Sequence, residues 1–307
     1  MTTLRSRLLI ACVLVLFAGS CARTPQVPVT QIKASSLTEL QGYLREHPTN
    51  VDEFRLRGPF PVVTHKDHEL RLSGSEHYMT DLFLAAPAGK APLVILLHGY
   101  DASKEAHEYQ AYQLASWGMH SMTVQLPNTG PWSTNGRTLA RIVSYIQHRP
   151  DAIDARIDPD RIILVGHSFG ATAVAVALAQ GAPAAGAVLL DAAGIGRDLP
   201  GYLEKIRAPV MLLGADEHVS VTRNRGYFFR FIRSGVGELS IRDATHEDAQ
   251  YPAGHYASET SEAGQLAFVS ALTAAALSLS STGKFDYAWS SYGAALESGK
   301  FFNPRKK

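Results

Sequence analysis

Ile162-Ile163-Leu164-Val165-Gly166-His167-Ser168-Phe169-Gly170-Ala171 is the stretch on which the reading of this chain turns. Four apolar residues in succession suit a strand buried on both faces, and the Ala/Val-rich run after Gly170, ending near Gly181, suits a buried helix. Ser168 therefore stands at a sharp strand-to-helix turn. Such a turn brings backbone segments close together, and Gly166 and Gly170, lacking Cβ, relieve the crowding. It also leaves the serine hydroxyl free above the sheet and puts the Phe169 N–H at a helix N-terminus, where donors are unsatisfied and negative charge is favoured. Ser168 is a candidate nucleophile on this ground. The competing role for a serine at such a place is an ordinary helix N-cap.

Working outward, short apolar runs recur at 93–97, 122–126, 188–190 and 210–213. Stretches of helical length lie between and around them at 105–117, 139–148, 169–180 and 222–232. This alternation predicts a mainly parallel sheet with helices on both faces. Before it, 54–63 and 69–84 read as antiparallel edge strands with turns at Gly58-Pro59 and Ser73-Gly74; after it come a last strand at 238–242 and a closing helix at 262–279. Residues 284–307, aromatic and then basic, fall outside the pattern as a C-terminal extension of the 37–283 domain.

A serine hydroxyl needs a base to take its proton, and the base needs a carboxylate to orient it. Both are expected at the ends of later strands. Asp216 follows the run at 210–213 and His246 follows the last strand, so Ser168, Asp216 and His246 form the expected set in chain order. Asp191, at the end of the 188–190 run, is the alternative acid, with Glu217 further behind; His255 is the alternative base. Asp243, Glu247 and Asp248 read as solvated loop charges, and His98 and His167 as residues that order loops. The run at 93–97 leads into His98-Gly99-Tyr100, so the Tyr100 N–H is expected to join that of Phe169 in binding an oxyanion. No spacing of Cys, His and carboxylates calls for a metal, and nothing points to an organic cofactor.

The chain of 307 residues is 46% hydrophobic and 19% charged, with a formal net charge of +1. That balance excludes a disordered chain, a coiled coil and a nucleic-acid binder driven by bulk charge. Arg5 and Arg7 precede an unbroken apolar run at 8–18 and the small residues Gly19 and Ser20. This is the layout of a secretory signal over residues 1–20, since the run is about half of what a membrane-spanning helix needs. Cleavage after Ser20 would expose Cys21, and Phe17-Ala18-Gly19-Ser20-Cys21 resembles a bacterial lipobox, which implies lipidation of Cys21 and a tether over 21–36. The expected location is exported and membrane-anchored, at the outer membrane or periplasm, with plain secretion as the alternative. Both cysteines, Cys12 and Cys21, are too near the N-terminus to staple the body.

From about residue 55 to 280 the chain resembles the α/β-hydrolase superfamily, above all its dienelactone-hydrolase-like, chlorophyllase-like and cutinase-like (polyester hydrolase-like) members. The resemblance is carried by Leu96-Leu97-His98-Gly99-Tyr100, Leu114-Ala115-Ser116-Trp117-Gly118-Met119 and Arg156-Ile157-Asp158-Pro159-Asp160-Arg161-Ile162, together with the serine turn. It implies an eight-stranded-type sheet and an ester hydrolase that needs no cofactor and acts on a small-molecule or lipid ester. An acyltransferase using the same three residues, or a silent scaffold of this fold acting as a surface binding protein, are the alternatives. Only about 19 residues separate Leu190 from Pro209, so no large cap domain is expected over the site.

Overall fold

A strand whose successive residues are all apolar has no face to offer water, and the sheet accordingly lies between two layers of helices. The computed structural model describes residues 32–47, 49–127, 132–252 and 259–307. The expected signal segment, Cys21 with the first part of its tether, and His255 lie outside the described residues. The first elements are α1 (Leu37–Glu46), a 3-10 turn at Val51–Arg55, and the hairpin of β1 (Val62–Arg71) and β2 (His77–Ala85). Strands and helices then alternate: β3 (Ala91–Leu97), α2 (Glu108–Ser116), β4 (His120–Val124), α3 (Trp132–His148), β5 (Ile157–His167) and α4 (Phe169–Ala179). The alternation continues through β6 (Gly186–Leu190), α5 (Leu199–Leu203), β7 (Val210–Ala215), α6 (Gly226–Phe231) and β8 (Val236–Ile241). Helices α7 (Glu262–Thr282), α8 (Asp286–Ser291) and α9 (Gly293–Glu297) and strand β9 (Phe301–Lys306) follow.

The nine strands form one sheet in the order β1-β2-β4-β3-β5-β6-β7-β8-β9. The run from β4 to β8 is parallel, while β1, β2 and β9 pair antiparallel at the two edges. Alternate side chains of the central strands enter opposite cores. Val94, Leu96, Ile163, Val165, Val188 and Leu190 pack with α1, α2 and α7. Leu93, Ile95, Ile162, Leu164, Ala187 and Leu189 pack with α3, α4 and α6. Helix α7 is long and apolar enough to cross a membrane by composition, yet it is almost wholly buried here as the central helix of one layer.

Three stretches differ from the sequence reading. Residues 54–63, expected as a strand, hold the end of the 3-10 turn and a segment outside the ladder, and only Val62 and Val63 belong to β1. Pro59 and Pro61 have no N–H to give a ladder, and Phe54 is instead buried with its ring 4.8 Å from that of Trp117. Residues 284–307, read as a packed or frayed extension outside the strand–helix pattern, are packed and belong to that pattern: they supply α8, α9 and β9, and Phe285, Tyr292 and Phe301 are buried in the core. The far end of the expected tether is not free chain either: Ile32 is buried, the Ser35 carbonyl accepts from the Ala88 N–H, and Ser36 caps α1.

Parallel pairing sets the carboxyl ends of the strands side by side. Leu97 of β3 stands opposite Gly166 of β5, and His167 of β5 opposite Leu190 of β6. The segments that follow these strands, with the one after β8, therefore meet at one edge of the sheet, where open α/β sheets place their ligands.

Burial on this scale has a pH signature. His107 and His120 have no solvent exposure, and loss of hydration pushes each imidazole down from 6.5 to about 4. Each ring is neutral when folded but takes a proton below about pH 6.5 when unfolded. Stability is therefore lost as pH falls from about 6.5 and the loss levels off near 4. Urea melts at pH 7 and pH 4.5 should show His120→Asn losing about 2 kcal/mol less over that interval than the wild type.

Candidate active site

Strand β5 stops at His167 and α4 starts at Phe169, so the chain reverses through Ser168 alone. Ser168 takes φ 54° and ψ −119°, in the positive-φ region that a residue with a side chain rarely enters. Such a conformation costs on the order of 1–3 kcal/mol and persists only where its surroundings enforce it. Here the Ser168 N–H donates to the Leu190 carbonyl at 3.0 Å, and the Ser168 carbonyl accepts from the N–H groups of Ala193 at 3.1 Å and Thr172 at 3.3 Å. The glycines are required by space: a Cβ on Gly166 would lie 2.5 Å from Gly170 backbone atoms, and one on Gly170 would lie 2.4 Å from the His98 carbonyl oxygen. The Ser168 side chain makes no N-cap hydrogen bond.

The hydroxyl turns to His246 instead, with Oγ 3.0 Å from Nε2. Nδ1 of the same ring lies 2.6 Å from Oδ2 of Asp191. Asp191 is wholly buried. Burial alone would push its carboxyl up, but the hydrogen bond from His246 and the positive charge of Arg225 outweigh that and hold it below the usual carboxylate range. An ionised carboxylate only accepts, so Nδ1 carries the ring proton and Nε2 is left to accept from the serine hydroxyl.

Asp216, the acid expected from chain order, is not in this constellation. Its Oδ2 accepts from the Asp243 N–H at 3.1 Å and from Arg242 at 3.4 Å, and so ties down the segment after β8. The acid beside His246 comes from β6, the direct neighbour of the serine's own strand. At Asp191 the backbone turns to φ 35°, held by its N–H to the Leu213 carbonyl at 2.7 Å, and the side chain reaches the imidazole. Both runs end in Asp, and their order along the chain does not say which strand end lies nearer the histidine.

Further residues hold the pieces in place. His167 is buried with Nε2 3.0 Å from the His246 carbonyl oxygen, so its ring braces the loop that carries His246. His98 lies 2.8 Å by Nδ1 from the Gly99 carbonyl and 3.1 Å by Nε2 from that of Leu126, ordering the loop after β3. Asp248, read from sequence as a solvated charge, is buried and accepts from the N–H groups of Thr245 at 2.8 Å and Ser261 at 2.6 Å. Lys104 ends the loop after β3 in a buried ion pair with Asp81 at 2.8 Å. An Asp within the otherwise apolar end of β2 was the signal for that partner.

Tyr100 and Phe169 come together as well. Their rings lie 5.4 Å apart, and Gly99 backs onto the Ser168 side chain so closely that a Cβ there would sit 3.2 Å from Ser168 Cβ. Among the described residues, no protein acceptor takes either the Tyr100 or the Phe169 N–H. His98, Gly99, Tyr100, Trp132 and Phe169 line a cavity of about 10 Å³ beside them, room for about one water. Among the described residues, no cluster of three or more His, Cys, Asp or Glu side chains is placed to hold a metal.

Residues 94–296 match the model of the alpha/beta hydrolase family. The chain belongs to the alpha/beta hydrolase family. No curated protein matches it. In this hydrolase the family match runs from β3 into α9; it leaves out residues 55–93 of the 55–280 stretch that carries the sequence resemblance, and at the other end it takes in the C-terminal helices.

If the elbow depends on backbone contact, Gly170→Ala should destabilise the hydrolase by about 2 kcal/mol in urea denaturation, since rigid backbone must move to admit the methyl. Gly201→Ala, in a helix with open space around the added carbon, should instead be neutral or stabilising by up to about 1 kcal/mol. Equal effects at the two positions would contradict the argument.

Proposed function

We propose that this hydrolase cleaves carboxylic esters by covalent catalysis, with Ser168 as nucleophile, His246 as general base and acid, and Asp191 as the orienting carboxylate. The observation that carries the reading is the unbroken hydrogen-bonded line from Ser168 Oγ through His246 to Asp191. Ser168 Oγ attacks the ester carbonyl carbon while His246 Nε2 takes its proton. The carbonyl oxygen, now negative, accepts hydrogen bonds from the N–H groups of Tyr100 and Phe169, each such donor lowering the barrier by roughly 3–4 kcal/mol. The C–O bond to the alcohol then breaks, and His246 returns the proton to the leaving oxygen. Water repeats the sequence on the acyl-enzyme and frees the acid and Ser168.

The connection between β6 and β7 supports an ester whose outer part is not enclosed by a cap domain. Only the five-residue α5 and short loops stand there, and the exposed Tyr100 ring lies beside Phe169 next to the buried Ser168. We further propose, on the residues at 1–21, that the chain is exported and tethered to a membrane through Cys21.

The full chain in detergent should hydrolyse short-chain nitrophenyl esters, and Ser168→Ala should lower kcat by about ten-thousandfold or more. A folded wild-type protein that turned over no ester of any acyl length would contradict the proposal.

A further inference from the structure

Asp191 shares its carboxylate between two partners. Oδ2 faces His246, while Oδ1 accepts from the Ala215 N–H at 3.0 Å and from Nη1 of Arg225. The guanidinium is itself held on its other side. Nη1 also donates to the Ala215 carbonyl at 3.0 Å, and Nη2 donates to Ser240 Oγ at 3.1 Å. The Arg225 side chain is about 10% exposed and Asp191 is not exposed at all, so the pair meets with little water to screen it.

The seat for this arginine is built into the sheet. Gly214 interrupts the apolar run of β7, and its φ is not in the positive region, so no turn requires a glycine there. Space does: a Cβ on Gly214 would lie 2.3 Å from both Cζ and Nη1 of Arg225. Gly214, Ser240 on the neighbouring strand β8, and Ala215 thus form a socket that aims one guanidinium at the far oxygen of Asp191.

We propose that Arg225 is a positioning residue for the Ser168–His246–Asp191 unit: it fixes the rotation of the Asp191 carboxylate and balances its charge, so that His246 is oriented by Asp191 without being held in the protonated form. The inference rests on the proposed function of that unit. A lone buried carboxylate beside an imidazole favours the imidazolium, and an imidazolium cannot accept the serine proton. With the guanidinium in place the carboxylate's field at His246 is weakened while its hydrogen bond remains. Among the described residues, the other groups around His246 include Ser168, the buried neutral ring of His167 from β5, and Glu247 and the buried Asp248 on its own loop, with Glu259 beyond Glu247. Within this set Arg225 is the fixed positive charge in contact with Asp191.

Removing the charge should raise the proton affinity of His246. Arg225→Gln is expected to move the acid limb of the kcat/KM profile up by about one pH unit and to lower kcat about tenfold or more, with KM little changed. Arg225→Lys should restore the acid limb to near its wild-type position but not kcat, because one ammonium cannot reproduce the forked contacts. Gly214→Ala, which leaves every side chain of the unit in place and displaces only the guanidinium, should shift the limb in the same direction. Should Arg225→Gln fail to fold, Arg225→Lys and Gly214→Ala carry the test.

The titration midpoint of the His246 ring, followed by NMR in the full chain, separates this inference from the function it rests on. If the wild type lacks Ser168-dependent turnover, the proposed function falls, yet the midpoint still reports on Arg225. An upward shift of about one unit in Arg225→Gln or Gly214→Ala supports the inference. Unchanged midpoint and acid limb in the folded variants would overturn it.

Discussion

The site depends on one backbone constraint, the positive φ at Ser168. Its N–H and carbonyl are both engaged by the end of β6 and the segment after it, through Leu190 and Ala193. The same strand end and the segment after it therefore impose the strain and supply the carboxylate at Asp191. Because the turn is enforced by neighbours rather than by its own preference, the serine hydroxyl stays uncommitted to the helix below it. Gly166, Gly170 and Gly99 are what this closeness demands, since each sits where a methyl group would meet backbone or the serine itself.

Around that constraint the interior holds charges that only pairing makes tolerable. Asp191 is matched by Arg225 and also hydrogen-bonded to His246, and Asp81 is matched by Lys104 and Lys66. The two groups act on different parts of the site. The first sets the carboxylate behind the base. The second anchors the loop that begins at His98 and presents Gly99 and Tyr100. His167, neutral through burial, lies between the serine's strand and the base's loop and joins them through the His246 carbonyl.

Much of this was legible in the residues. The double-glycine turn after a continuous apolar run marked Ser168, and the position after the last parallel strand marked His246, because both signals are local. The acid was not local. Runs ending at Asp191 and Asp216 look alike along the chain, and the difference lies in which strand adjoins β5 and in a turn at φ 35° that no spacing reveals. Arg225 was hidden for the same reason: Gly214 reads as an unremarked glycine in a strand until the guanidinium packed against it, from the residue before α6, is known. Residues 54–61 show the reverse error, where alternation suggested a strand but Pro59 and Pro61 held pairing off until Val62. The ninth strand escaped notice because Phe301–Lys306, at a sheet edge, is charged on its exposed side and carries little apolar signal.

The most direct measurement is the rate at which a fluorophosphonate labels the wild type, Asp191→Asn and Asp216→Asn, with the adduct located by mass spectrometry. The account predicts an adduct on Ser168, a rate about a thousandfold to ten-thousandfold lower in Asp191→Asn, and a rate within about threefold of wild type in Asp216→Asn. Rapid labelling of Asp191→Asn together with slow labelling of Asp216→Asn, or an adduct on another residue, would contradict it.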